Sequence, residues 1–132
     1  MSVQPLKYLL LWLLPFFVSA NFLNWLGNYD IAHQKALKEH KSLLVLVVKK
    51  KDSLSSQIIK NTFMDQNYVD EVNSKMVPVI VTYEGALSYP IEMYYTTVFP
   101  TLFFVDSGNE TFLREPLYGE EITKEVIGKM FP

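Results

Sequence analysis

Apolar and polar positions along the chain follow two periods, and these divide it into elements. Tyr29, Ala32, Ala36 and Leu37 recur at helical spacing, with Lys35, Lys38, Glu39 and Lys41 on the other side. The spacing predicts an amphipathic helix over Tyr29–His40, capped by Asn28 or Asp30. Leu43–Val48 is a run of β-favouring residues without alternation, the pattern of a strand covered on both faces. Ser53–Phe63 pairs Ile58 and Ile59 with Thr62 and Phe63 along one face, which predicts a second helix. A third follows over Gln66–Lys75, entered through Asp65.

Met76–Tyr83 reads as a second strand, placed at a sheet edge or starting near Pro78, because proline donates nothing to a ladder. Past Gly85 and Tyr89-Pro90, the aromatic segment Ile91–Tyr95 suits one or two helical turns. Thr101–Asp106 predicts a third strand, Ser107-Gly108-Asn109 a tight turn, and Thr111–Leu117 a fourth strand marked by Pro116. Gly119 ends it, and Glu120–Met130 predicts a closing helix with acids first and Lys129 last. Ahead of all this, Asn21–Gly27 is either a short strand or a lead-in to the first helix. Helical segments on both sides of a sheet with a parallel half and a hairpin imply three layers.

The N-terminus has a different character. Lys7 precedes the apolar run Tyr8–Val18, and Val18-Ser19-Ala20 offers small residues for cleavage. That is a secretory signal over residues 1–20, with an apolar region short for a membrane span; an uncleaved anchor or a buried helix is the alternative. The expected domains are the signal, 1–20, and one globular domain, 21–132. The expected location is outside the cytoplasm, secreted or periplasmic, with no membrane span after cleavage.

Composition narrows the chemistry. The formal net charge is −2, there is no basic run suited to nucleic acid, and there is no cysteine among the 132 residues. Disulfides, thiol redox chemistry and thiolate metal sites are thereby excluded. His33 and His40 are seven residues apart, two helical turns, too far to share a metal without other ligands. No metal and no cofactor are expected. Ser53, Ser55 and Ser56 stand where a helix begins and read first as capping residues, with Asp52 or Ser53 accepting from backbone N–H groups. A polar or anion-recognition site beside Lys49–Lys51 is the sharper alternative. A Gly-x-Ser-x-Gly elbow is absent. Asn109-Glu110-Thr111 fits a glycosylation acceptor in a turn.

In order, these segments resemble the thioredoxin-like proteins. The resemblance rests on the helix carrying Ala32, Ala36 and Glu39-His40-Lys41 that runs into Leu43–Val48. It rests also on Phe63–Val69 followed by Met76-Val77-Pro78-Val79, and on Val98-Phe99-Pro100-Thr101 leading into Leu102–Asp106. It implies a thioredoxin-like three-layer α/β/α sandwich with a mixed four-stranded sheet. The family's spacing places its two cysteines at Ser53 and Ser56, so disulfide exchange does not carry over, because a serine hydroxyl forms no S–S bond. The resemblance further implies a cis Phe99-Pro100 bond and a binding surface for an extended protein or peptide partner. Tyr83, Tyr89, Tyr94, Tyr95 and Phe99 are candidates to line it, or else simply pack. The expected function is an exported, non-redox, non-catalytic binding domain. An enzyme with a repurposed Ser-x-x-Ser site and a structural subunit of an envelope assembly are the alternatives.

Overall fold

A computed structural model describes residues 23–63, 66–83 and 92–130. The signal segment, Gly85, Tyr89 and Pro90 lie outside these residues. In chain order the elements are α1 (Tyr29–Glu39), β1 (Ser42–Lys49), α2 (Ser53–Thr62), α3 (Gln66–Lys75) and β2 (Met76–Tyr83). There follow a 3-10 turn (Glu92–Tyr94), β3 (Thr101–Asp106), β4 (Thr111–Phe112), β5 (Leu117–Tyr118), a second 3-10 turn (Gly119–Glu121) and α4 (Lys124–Lys129).

Local chemistry sets the ends of α1. The Asn28 side chain accepts the Ile31 N–H at 3.0 Å, so Asn28 rather than Asp30 caps the helix. His40 closes it in the left-handed region, at φ 56°, a conformation few residues other than glycine adopt readily. The Tyr29, Ala32 and Ala36 stripe is buried, as the helical spacing requires.

β1 lies at the centre. It runs parallel to β2, with Ser42 opposite Met76 and Lys49 opposite Tyr83. It runs antiparallel to β3, with Leu43 opposite Val105 and Val47 opposite Thr101. Side chains alternate across a strand, so Leu44, Leu46 and Val48 join one core with Ile58, Phe63, Val69, Val72, Ile122 and Ile127. Leu43, Val45 and Val47 join the other with Tyr29, Ala32, Ala36 and Tyr94. Two apolar faces on one strand account for its lack of alternation. They also make the sandwich three-layered, with α1 on one side and α2, α3 and α4 on the other.

The sheet has five strands in the order β2-β1-β3-β4, with β5 also on β3, where four were expected. The expected strand Thr111–Leu117 is two short ones. Asp106 and Val105 pair with Thr111 and Phe112, and Thr101 and Leu102 pair with Tyr118 and Leu117. Pro116 stands in the interruption and has no N–H for a ladder bond. At the opposite edge, Leu26 bridges to β2. Its N–H reaches Pro78 O at 3.0 Å, and Ile80 N–H reaches Leu26 O at 2.8 Å. The lead-in segment thus covers part of an otherwise open edge.

The closing helix is shorter than expected. Gly119 takes φ +55°, Ile122 turns into the core, and Thr123 starts α4 by accepting the Val126 N–H at 3.3 Å. The acids Glu120 and Glu121 therefore belong to the 3-10 turn, not to the helix.

Candidate functional site

Two segments meet at the end of the sheet where β1 and β2 finish and β3 begins: the turn Lys50–Asp52 into α2, and the loop Thr96–Pro100. In the first, Asp52 settles the capping question. Its Oδ2 accepts the Ser55 N–H at 3.2 Å and the Ser55 hydroxyl at 2.6 Å. Ser55 is buried by this arrangement. Ser53 and Ser56, one turn apart at the start of α2, are both exposed. The Ser56 hydroxyl donates to Asp52 O at 3.3 Å.

Neither serine is bonded to a histidine. His33 Nε2 bonds to Ser107 O at 2.8 Å, and His40 ends α1, both in the layer across the sheet from α2. The arrangement caps a helix, and among the described residues neither Ser53 nor Ser56 has a histidine bonded to it to act as a base. Among the described residues, no group of three His, Asp or Glu side chains lies close enough to hold a metal.

The second segment is held more tightly. The Phe99–Pro100 peptide bond is cis. Thr101 donates its hydroxyl hydrogen to Val98 O at 2.6 Å. Thr96 Oγ1 accepts the Val98 N–H at 3.1 Å and lies 3.0 Å from the Thr101 hydroxyl. Pro100 O accepts the Gly119 N–H at 2.7 Å. The positive φ at Gly119 suits a residue without a Cβ. Both neighbours of Phe99 therefore have their main chain engaged. The N–H and C=O of Phe99 itself bond to no described residue.

Around this main chain lies an aromatic and apolar surface. The Phe99 ring stacks on Tyr83 with centroids 5.4 Å apart and planes 20° apart. Tyr95 is 66% exposed and Val98 43%. Tyr94 does not belong to this surface. It is 0% exposed and packs edge-on against Phe103 at 5.3 Å, so the expectation that it lines a groove is corrected: it is core. Tyr94 ends the 3-10 turn facing the core, while Tyr95 follows just outside that turn and faces solvent.

Tyr94 instead takes part in a buried chain that sequence reading missed. Its hydroxyl lies 2.8 Å from that of Tyr29, and the Tyr29 hydroxyl donates to Glu110 Oε2 at 2.8 Å. With Tyr29 donating to the carboxylate, Tyr94 donates to Tyr29, and each buried hydroxyl is satisfied. Burial first, and then the bonds to Tyr94 and Glu110, raise the Tyr29 phenol well above its ordinary range. Burial also pushes Tyr94 up to about 12, with the bond between it and Tyr29 opposing and the Glu110 charge adding to it. The only sequence signal was Tyr29 on the inward stripe of α1; nothing local points to Glu110. Asn109, beside it, is exposed in the β3–β4 turn, its N–H bonded to Asp106 Oδ2 at 2.9 Å.

No protein-family model matches the chain, and no curated protein sequence does. Solved structures are similar to it. One is described as a DsbH oxidoreductase, at 16% identity and a TM-score of 0.65, covering 86% of this chain and 85% of that one. Another is a thioredoxin from Thermus thermophilus, at 15% identity and a TM-score of 0.68, covering 83% of this chain and 84% of that one. The chain has the thioredoxin-like fold.

Proposed function

We propose that this protein is an exported, non-redox thioredoxin-like domain that binds a protein or peptide partner at the loop Thr96–Pro100. The observation that carries the reading is the main chain of Phe99. Its N–H and C=O bond to no described residue, while those of Val98 and the C=O of Pro100 are engaged. A donor and an acceptor on a fixed loop that no described residue takes up are what an extended segment pairs with in strand-like recognition. Tyr83, Phe99, Tyr95 and Val98 add apolar area of the kind enriched at interfaces. The absence of cysteine supports the non-redox part, and the leader-like pattern over residues 1–20 supports export.

A photo-crosslinking residue at position 98, used in the native cells, tests this. The expected result is a small set of saturable adducts that diminish with Phe99→Ala in the same protein. Absence of any saturable adduct, or an adduct pattern indifferent to Phe99, overturns the reading.

A further inference from the structure

We infer that the partner segment is acidic on the side where it meets the turn between β1 and α2. The inference rests on the reading that a partner binds beside Phe99, and it names the chemistry of that partner. Lys49, Lys50 and Lys51 are all exposed at this end of the sheet. Lys49 lies opposite Tyr83 in the β1–β2 register, and the Tyr83 ring stacks on Phe99. Lys50 N–H reaches Tyr83 O at 3.5 Å, so the lysine turn and the aromatic surface are directly joined.

Neither Lys49 nor Lys51 forms an ion pair with a described residue. The one carboxylate within the turn, Asp52, is directed to the Ser55 N–H and hydroxyl as the helix cap. The 3-10 turn whose Gly119 N–H bonds to Pro100 O carries two acids. Glu120 is exposed, and Glu121 accepts the Tyr118 N–H at 2.8 Å. An extended segment lying over Phe99 therefore meets positive charge where it passes the turn between β1 and α2. Complementary charge of this kind sets orientation and association rate. The matching ligand is an apolar or aromatic segment with carboxylates toward Lys49 and Lys51.

Three synthetic peptides with one Val-Tyr-Val centre test this, flanked on the same side by Glu-Glu, Gln-Gln or Lys-Lys. Binding to the mature domain is measured by titration calorimetry at about 50 mM and about 500 mM salt, where screening lengths differ several-fold. The expected order is acidic tightest, by about tenfold over neutral at low salt, as two surface charge pairs provide. That advantage is expected to vanish at high salt and in the Lys49→Gln/Lys51→Gln protein. Equal binding of the acidic and neutral peptides, or tighter binding of the basic one, overturns the inference and leaves the binding site beside Phe99 standing. Binding by none of the three, with no crosslinked partner from position 98, overturns both.

Discussion

Tyr83 and Phe99 stack face to face, 5.4 Å between ring centres, and this contact ties the end of β2 to the loop that precedes β3. The two residues are 16 positions apart in sequence, and the sheet order β2-β1-β3 brings them to the same end of the sheet. It places an aromatic surface next to the main chain of Phe99, whose N–H and C=O bond to no described residue.

Replacing Phe99 with Ala is expected to abolish partner adducts while leaving the far-ultraviolet circular dichroism of the domain unchanged. Tyr83→Ala is expected to weaken binding more moderately, since an offset aromatic pair contributes about 0.5–1.5 kcal/mol beyond its buried area. Calorimetric titration of both variants with the acidic peptide checks the ranking. Tyr94→Phe in the same assay is expected to bind normally, because Tyr94 is buried in the opposite direction.

Asp52→Ala removes the cap of α2 and both bonds to Ser55. The expected loss is about 1 kcal/mol of unfolding free energy, read as a lower urea midpoint with an unchanged denaturant slope. Asp52→Asn is expected to keep most of the stability. A midpoint unmoved by the alanine change would falsify the capping assignment.

In the Tyr94–Tyr29–Glu110 chain, position predicts the ranking of two phenylalanine variants. Tyr94→Phe removes one terminal donor, for about 1 kcal/mol. Tyr29→Phe removes the middle member and leaves the Tyr94 hydroxyl buried without a partner, so it is expected to cost more. Equal losses in thermal unfolding would contradict the middle position of Tyr29 in the chain.

The same phenols make stability depend on pH at the alkaline end. Folding raises Tyr94 from 10.0 to about 12 and Tyr29 further in the same direction. A group held protonated by folding contributes fully below its unfolded value and loses that contribution as pH rises through the folded one. Stability is therefore expected to be level with respect to these groups below about pH 10 and to fall as pH rises toward 12 and beyond. In the Tyr94→Phe protein the fall is expected to be shallower, measured by urea unfolding across that range.

Cysteines placed at Ser53 and Ser56 test the correspondence with the family's reactive pair. Both positions are exposed, one turn apart, at the start of α2 beside lysines, where a thiol is readily ionised. The double variant is expected to form an internal disulfide and to reduce insulin, and the natural chain to do neither. Free thiols persisting under oxidising conditions would show that the spacing counted back from Phe63 misses the site.

Much of this protein is written locally. The inward stripe of α1, the Asn28 and Asp52 caps, the two-sided burial of β1 and the weak edge at Pro78 each follow from a few neighbouring residues. Hydrogen bonding and periodicity act over such distances, so the sequence by itself determined α1, α2 and α3, the central strands and the three-layer arrangement. The lack of cysteine is likewise a matter of residue type alone.

Tertiary structure decided what depends on which faces meet. It split the last strand into β4 and β5 around Pro116, because only pairing with β3 tells a usable N–H from a missing one. It separated Tyr94 from Tyr95, sending one to the core and the other to the surface, although both carry the same side chain. It brought Glu110 to Tyr29 across 81 positions, and it left the Phe99 N–H and C=O bonded to no described residue, between two engaged neighbours. Each of these is a contact between segments distant in sequence, set by the sheet order rather than by any local preference.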